Sequence, residues 1–92
     1  MILEVVSPDA TLFSGEVNSV AVPGANGAFQ VLDNHAPIVS ILNPGTVKIG
    51  GKLSLPEETA HHFKQQGEET FLELPNGGTV EMQQNKIVLL AD

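Results

Sequence analysis

Three histidines are the residues of this chain with the most versatile chemistry, because imidazole binds metals and transfers protons near neutral pH. His61 and His62 are adjacent, so they would point about 100° apart on a helix or to opposite faces of a strand. His35 lies far from both in the sequence, and no cysteine or His-Glu-x-x-His spacing completes a ligand set. The pattern therefore disfavours a metal site and indicates a solvated pair at His61 and His62.

His35 stands between Asn34 and the dipeptide Ala36-Pro37, in a corner between two apolar runs. Catalysis is disfavoured because no serine has nucleophile-elbow spacing and no local carboxylate would orient the imidazole. Two interpretations of His35 stay open. Its side chain either hydrogen-bonds the backbone and fixes the corner, or it contacts a protein partner.

Gly24 and Gly27 have a spacing that superficially resembles a phosphate-binding loop. The Lys-Ser/Thr tail is missing and a strand follows instead of a helix N-terminus, so a turn that needs positive φ explains the glycines better. The acidic pairs 57–58 and 68–69 are neighbours in sequence, so each predicts a solvated loop and not an acid/base pair. No catalytic site, metal or other cofactor is predicted.

The composition describes one small acidic domain. The chain has 92 residues, a formal net charge of −7 and four basic residues, which are scattered lysines. Nucleic-acid binding is disfavoured because it needs clustered cations. The absence of cysteine excludes a disulfide scaffold, a zinc ribbon and thiol catalysis. No signal peptide is predicted, and the longest apolar run, 87–91, is too short for membrane insertion, so we expect an intracellular domain.

Short apolar runs separated by Gly, Pro and Asn predict the elements that would carry these residues. β-Branched and aliphatic residues dominate each run, and the turn spacing is typical of an antiparallel sandwich or barrel. The odd spacing of Val17 and Val20 favours a β-bulge, and Gly50-Gly51 favours a two-residue hairpin. The predicted strands lie at 1–6, 11–13, 17–22, 28–31, 38–42, 46–49, 52–55, 71–74, 79–83 and 86–91.

The segment 56–69 interrupts this pattern, because it is polar and nearly devoid of apolar residues. Ser54 and Glu57 have capping-box spacing, and Gly67 is suited to end a short helix. A helix of two to three turns and an irregular or mobile loop are the alternative interpretations of this excursion.

Six short motifs together resemble those of the epsilon subunit of F-type ATP synthase. Their order and spacing agree across nearly the whole chain, except at about residues 52–70, and six motifs in register are specific where each alone is weak. The motifs are Leu3–Pro8, Phe13–Val17, Val22–Gly27, Asn34–Pro37, Pro44–Ile49 and Gly77–Asp92. The resemblance implies a single domain over residues 1–92, folded as a flattened antiparallel β-sandwich of about ten strands.

The resemblance also implies two contact surfaces. In that family the domain lies at the foot of the central stalk, where one surface grips the gamma subunit and one loop rests on the membrane ring of c subunits. The loop implied to face the c-ring consists of Gly24, Ala25, Asn26, Gly27, Ala28 and Phe29. The gamma-facing surface is implied to include Ser7, His35 and Ser40. The family commonly has an acidic residue where this chain has Ala28, so a polar contact with the ring is not implied there.

The usual subunit of the family continues past the sequence Leu90-Ala91-Asp92 into two antiparallel helices. That hairpin can inhibit ATP hydrolysis and binds ATP in some members. From the end of this sequence at Asp92 we expect no C-terminal helical hairpin, so neither inhibition nor nucleotide binding is implied for it.

The expected function is therefore non-catalytic. We expect a rotor subunit that couples the gamma subunit to the c-ring, so that proton flow drives ATP synthesis by the complex. Its expected location is peripheral, on the cytoplasmic face of the bacterial inner membrane. The alternative is a free-standing β-sandwich that binds a peptide or a sugar, although the chain has no Trp or Tyr to line a groove.

Overall fold

A computed structural model describes all 92 residues and contains short β-strands and a single 3₁₀ turn, Ala60–His62. No helix in it has the length and apolar character needed to cross a bilayer. The ten strands are β1 (Ile2–Val6), β2 (Thr11–Glu16), β3 (Ser19–Val22), β4 (Phe29–Leu32), β5 (Ile38–Leu42), β6 (Gly45–Gly50), β7 (Phe63–Gln66), β8 (Glu69–Leu74), β9 (Gly78–Gln83) and β10 (Lys86–Ala91).

The strands form two five-stranded sheets that pack face to face. The first sheet has the order β2-β1-β10-β9-β5, and the second sheet has the order β4-β3-β6-β8-β7. β1 and β10 are parallel, whereas every other neighbouring pair is antiparallel. The predicted all-β sandwich of about ten short strands is confirmed, and neither sheet closes into a barrel.

Alternation along the strands creates the core between the sheets. In β1, Leu3 and Val5 are fully buried, and their neighbours in β10, Ile87 and Leu89, are buried with them. Eighteen buried apolar residues form one continuous cluster. Since burial of each aliphatic side chain is worth about 1.5–3 kcal/mol, this cluster is the main stabilising feature of the fold.

The register of the first sheet defines two ends of the sandwich. Val6 pairs with Leu90, and Leu42 pairs with Gly78. The end of the sandwich where these two pairs lie is here called the upper end. The lower end carries the starts of β1, β5 and β10, together with the turn at Gln84-Asn85.

The segment 56–69 contains a strand, so neither predicted alternative, a helix of two to three turns or an irregular loop, describes it. After the 3₁₀ turn, β7 pairs antiparallel with β8 across a turn in which Gly67 has a φ of 63°. Phe63 packs against the core and lies edge-to-face with Phe13, with ring centroids 6.5 Å apart. The other residues of β7 are exposed, because β7 is an edge strand. Their polarity concealed the strand in the sequence.

The predicted strand 52–55 and its hairpin at Gly50-Gly51 are absent. β6 already has β3 and β8 on its two sides, so it offers no free edge to a hairpin partner. Gly51, with a φ of 122°, instead turns the chain into an irregular segment. Leu53 and Leu55 of this segment pack, half-buried, against the core.

Two predicted details of β2 and β3 are also wrong. β2 continues through Ser14 and Gly15, because both residues pair with β1. Val17 and Val20 are both buried without a bulge between them. Asn18 lies in the connection between the strands, so the alternation does not have to run from one valine to the other.

Candidate functional site

The residues Gly24–Phe29, here called the 24–29 loop, form a compact turn that connects β3 to β4. Gly27 has a φ of 125° and donates its N–H to the Gly24 carbonyl at 3.0 Å, which confirms the predicted turn. Gly24 is buried, and a Cβ there would lie 2.6 Å from the Gly27 carbonyl oxygen and 2.8 Å from the Phe29 ring. Residues 25–28 are exposed and Phe29 is half-buried. The loop thus presents four residues to solvent on a base that requires glycine.

Backbone hydrogen bonds tie the 24–29 loop to the upper end of β5. Ala25 donates its N–H to the Ile41 carbonyl at 2.8 Å, and Asn43 donates its N–H to the Pro23 carbonyl at 2.8 Å. Together these bonds form an isolated antiparallel bridge between the two sheets. The loop is therefore joined to the first sheet as well as to the second.

His35 occupies an exposed corner between β4 and β5 at the lower end. Its Nδ1 lies 2.8 Å from the Ala36 carbonyl oxygen, so a protonated Nδ1 donates to the backbone as one interpretation predicted. The backbone N–H of His35 donates to the Leu32 carbonyl at 3.2 Å. Asn34 has a φ of 60°, and its N–H donates to the Asn85 side-chain oxygen at 2.7 Å. These bonds hold the corner and leave the imidazole at the surface.

Ser7 and Ser40 occupy different parts of the first sheet. Ser7 closes the β1–β2 turn, where its N–H and hydroxyl donate to the Ala10 carbonyl at 2.8 and 3.2 Å. Ser40 is half-buried near the middle of the edge strand β5, and its hydroxyl donates to the Ile41 carbonyl at 3.3 Å. Each hydroxyl thus donates to a nearby backbone carbonyl, that of Ala10 for Ser7 and that of Ile41 for Ser40.

The structure does not gather Ser7, His35 and Ser40 into one patch. Ser7 follows β1 at the upper end, beside Leu90, whereas the corner of His35 is bound to Asn85 at the lower end. Five residues of strand separate these levels, about 17 Å at 3.3 Å per residue. His35 and Ser40 share one edge of the sandwich, and Ser7 lies at the same end as the 24–29 loop.

An N-terminal ammonium group lies at the lower end, in a contact that sequence reasoning missed. The Met1 nitrogen is 2.8 Å from Asp33 Oδ1, 3.3 Å from Glu16 Oε1 and 3.4 Å from the Val17 carbonyl oxygen. The hydrogen bond to Asp33 raises the pKa of this amine, and burial opposes that shift. The same hydrogen bond, followed by one from Asn85, lowers the pKa of the Asp33 carboxyl. The cluster stabilises the chain next to the His35 corner.

The remaining polar candidates are His61, His62 and the two acidic pairs. The rings of His61 and His62 lie 4.1 Å apart beside the 3₁₀ turn, and no group of three His, Asp or Glu residues is arranged around a common point. Glu69 forms an exposed ion pair with Lys48 at 3.1 Å. The acidic pair 57–58 is exposed, as the sequence predicted.

Exposed apolar side chains are concentrated on the outer face of the first sheet. Val39 and Ile41 of β5 are 77% and 67% exposed, and Leu90 and Ile2 are 45% and 39% exposed. Sequence reasoning missed this surface. The signal for it was the run Ile38-Val39-Ser40-Ile41-Leu42, which carries apolar residues at positions of both faces.

A family model for the beta-sandwich domain of the ATP synthase delta/epsilon chain matches residues 1–92. The chain belongs to this family. The epsilon chain of Chlorobaculum tepidum is 41% identical over 90 residues, which are 98% of this chain and 86% of that relative. These findings confirm the resemblance to the epsilon subunit of ATP synthase that the six motifs indicated.

Relatives in the ATP synthase delta/epsilon family differ in how much of their length the chain matches. The epsilon chain of Desulforamulus reducens is 34% identical over 90 residues, and the match covers 98% of this chain but 57% of that relative. A solved structure of the central stalk and c-ring of Tetrahymena thermophila mitochondrial ATP synthase matches with a TM-score of 0.69. At 12% identity, covering 97% of this chain and 60% of that one, it shows a shared fold.

Proposed function

We propose that this chain is a non-catalytic rotor subunit of the ATP synthase central stalk, where it couples the gamma subunit to the c-ring. Membership of the delta/epsilon family supports the assignment to the enzyme. The observation that carries the mechanical role is the backbone link between the 24–29 loop and β5. It joins the loop proposed for the ring to the strand that carries Ser40, proposed for gamma.

This link provides a direct path for torque. Force on the 24–29 loop passes through the Ala25–Ile41 and Pro23–Asn43 hydrogen bonds into β5. β5 pairs with β9 over five residues, and β9 pairs with β10 over six. Load therefore travels through a continuous ladder over a close-packed core, which deforms little.

The two proposed contact sets have different chemical characters. The 24–29 loop offers small, uncharged residues, including Ala28, and therefore suits a contact by shape with polar groups of a ring loop. The gamma-facing set of Ser7, His35 and Ser40 extends over both ends of the first sheet, so a gamma subunit that reached all three would lie along the sheet. The proposed location is the cytoplasmic face of a bacterial inner membrane, peripheral to the bilayer and without bound nucleotide.

Single cysteines test these contacts, because the chain has none of its own. Ala28→Cys, Ser40→Cys and the control Gln66→Cys, on the distant edge strand β7, would each carry a photoactivated cross-linker in the assembled complex. We expect Ala28→Cys to capture a c subunit, Ser40→Cys to capture gamma, and Gln66→Cys to capture neither.

Three results would overturn the proposal. The chain could fail to co-purify with gamma and the ring under conditions that preserve the complex, which would favour the free-standing binding module. The Ala28→Cys and Ser40→Cys variants could exchange partners, which would reverse the assigned surfaces. All three positions could label equally, which would show contact without orientation.

A further inference from the structure

The edge strand β5 lacks the features that normally prevent edge-to-edge pairing. Ile38–Leu42 contains no charged residue, no proline and no bulge, and two of its apolar side chains are largely exposed. The edge strands on the far side of the sandwich differ. The Thr59 hydroxyl donates to the Leu12 carbonyl on β2 at 2.6 Å, and β7 has three exposed polar residues, among them Lys64.

The hydrogen bonds at the upper end fix which backbone groups of β5 point outward. The Ile41 carbonyl accepts a hydrogen bond from the Ala25 N–H, so the backbone N–H and C=O of Ile41 point away from β9. The backbone groups of successive residues in an antiparallel ladder point to alternate sides. Those of Val39 therefore also point outward, whereas those of Ser40 bond with Val80 of β9. By this alternation the N–H groups of Val39 and Ile41 and the Val39 carbonyl do not bond with β9, and they take part in none of the backbone hydrogen bonds outside the strand ladders.

A groove and an unpaired charge lie beside this open stretch. The groove has a volume of about 390 Å³ and is lined in part by Pro37, Val39 and Gln83. Glu81 also lines it, pairs in register with Val39 and takes part in none of the ion pairs. With a net charge of −7 on the chain, a basic side chain complements this groove.

Resting on the proposed function, we infer that an extended segment of the gamma subunit adds to β5 as a sixth strand of the first sheet. It runs antiparallel to β5 and continues the line of residues 23–25, which already pair with the upper end of that strand. Its side chains beside Val39 and Ile41 are aliphatic. One lysine or arginine of the segment reaches Glu81 through the groove.

Amide hydrogen exchange of the full chain, alone and bound to gamma, tests the inference. In the free chain we expect the N–H groups of Val39 and Ile41 to exchange rapidly and that of Ser40 to be protected by β9. On binding, the Val39 and Ile41 exchange rates should fall by at least about tenfold, the effect of one protected backbone hydrogen bond at the upper end of its usual strength.

A pair of substitutions at one position separates the backbone contact from the apolar contact. Ile41→Thr keeps the N–H and loses apolar surface, whereas Ile41→Pro also removes an N–H that β9 does not use. We expect Ile41→Pro to weaken gamma binding about 3–10-fold more than Ile41→Thr, in proportion to one hydrogen bond. Leu32→Thr, a matched change at a 53% exposed leucine of β4, should leave binding unchanged.

The ionic contact has its own readout. Glu81→Gln should weaken binding to gamma and reduce its salt dependence, whereas Glu58→Gln, an exposed acid in the irregular segment, should do neither. Circular dichroism and thermal unfolding will show whether Ile41→Pro folds. If it does not, Val39→Thr and the exchange experiment test the inference. Val39→Thr is expected to weaken binding more than Leu32→Thr.

The outcomes separate this inference from the proposed function. A chain that binds gamma while its Val39 and Ile41 amides still exchange rapidly would overturn strand addition and leave the rotor role intact. A chain that does not bind gamma at all would overturn the rotor role as well. Concentration-dependent protection of both amides without gamma would identify a second copy of the chain as the occupant and overturn the inference.

Discussion

Replacement of Gly24 by alanine should loosen the 24–29 loop from the first sheet. The added Cβ would lie 2.6 Å from the Gly27 carbonyl oxygen and 2.8 Å from the Phe29 ring, and the carbonyl belongs to the backbone. Overpacking of this kind costs about 1–3 kcal/mol. Loss of the two hydrogen bonds between the loop and β5 would add about 0.5–1.5 kcal/mol each.

The expected decrease in the free energy of unfolding for Gly24→Ala is therefore about 2–6 kcal/mol. That is a large fraction of the roughly 5–14 kcal/mol expected of a 92-residue domain. Urea unfolding of the purified chain, followed by circular dichroism, measures the change as a lower midpoint at an unchanged slope. When Gly24→Ala is combined with Ala28→Cys, the chain should capture less of the c-ring in the cross-linking experiment than Ala28→Cys alone, since residues 25–28 lose their anchor.

Ala28→Ser is the matched control. Ala28 is exposed, so the added hydroxyl lies outside the base of the loop. We expect its unfolding midpoint to equal that of the original chain. A Gly24→Ala variant as stable as the control would refute the argument that the loop is held by close packing at Gly24. A less stable variant with full ring cross-linking would refute the link between that packing and the ring contact.

Three further perturbations follow from the structure. Asp33→Asn should flatten the pH profile of stability. The pKa of the Met1 amine is raised above 8.0, so the ion pair with Asp33 is complete below pH 8 and is lost as the pH rises through that pKa. The pKa of the Asp33 carboxyl is lowered below 3.8, so in acid the ion pair persists down to that range. Urea midpoints that fall equally in both proteins above pH 8 would contradict this. Phe63→Ala should cost about 2 kcal/mol, below the cost of a fully buried phenylalanine, and hydrogen exchange of β7 should accelerate selectively. Gly77→Ala should cost about 2–4 kcal/mol in urea unfolding, since its φ is 69° and a Cβ would meet the Leu42 carbonyl oxygen; no loss would exclude that clash.

Local patterns were sufficient to predict most of the sandwich. β10 and β9 have long apolar alternation and a turn at Gln84-Asn85, so their pairing was readable from neighbouring residues. β7 was not, because an edge strand needs apolar residues on one face only and Phe63 alone supplies it. The parallel pairing of β1 with β10 joins strands from opposite ends of the chain, and no local signal specifies such a register.

The candidate site divides in the same way. The turn at Gly24 and Gly27 was predictable because the Lys-Ser/Thr tail of a phosphate-binding loop is missing and a strand follows, and the structure confirms it. The ion pair between Met1 and Asp33 was not, because it depends on how two connections meet at the lower end. The outward direction of the Val39 backbone N–H and carbonyl likewise depends on which strand pairs with β5. Sequence patterns identify the faces of a strand, whereas its open edge appears only with the assembled sheet.

The rotor assignment is tested most directly by locking the chain to both partners at once. A double variant, Ala28→Cys with Ser40→Cys, would be cross-linked to a c subunit and to gamma in membrane vesicles, and ATP-driven proton pumping would be measured before and after. A piece that turns with both partners needs no motion at either contact, so we predict that pumping persists at high cross-linking yield. Pumping that declines in proportion to the yield would contradict the account, because it would mean that the chain moves against one of its partners.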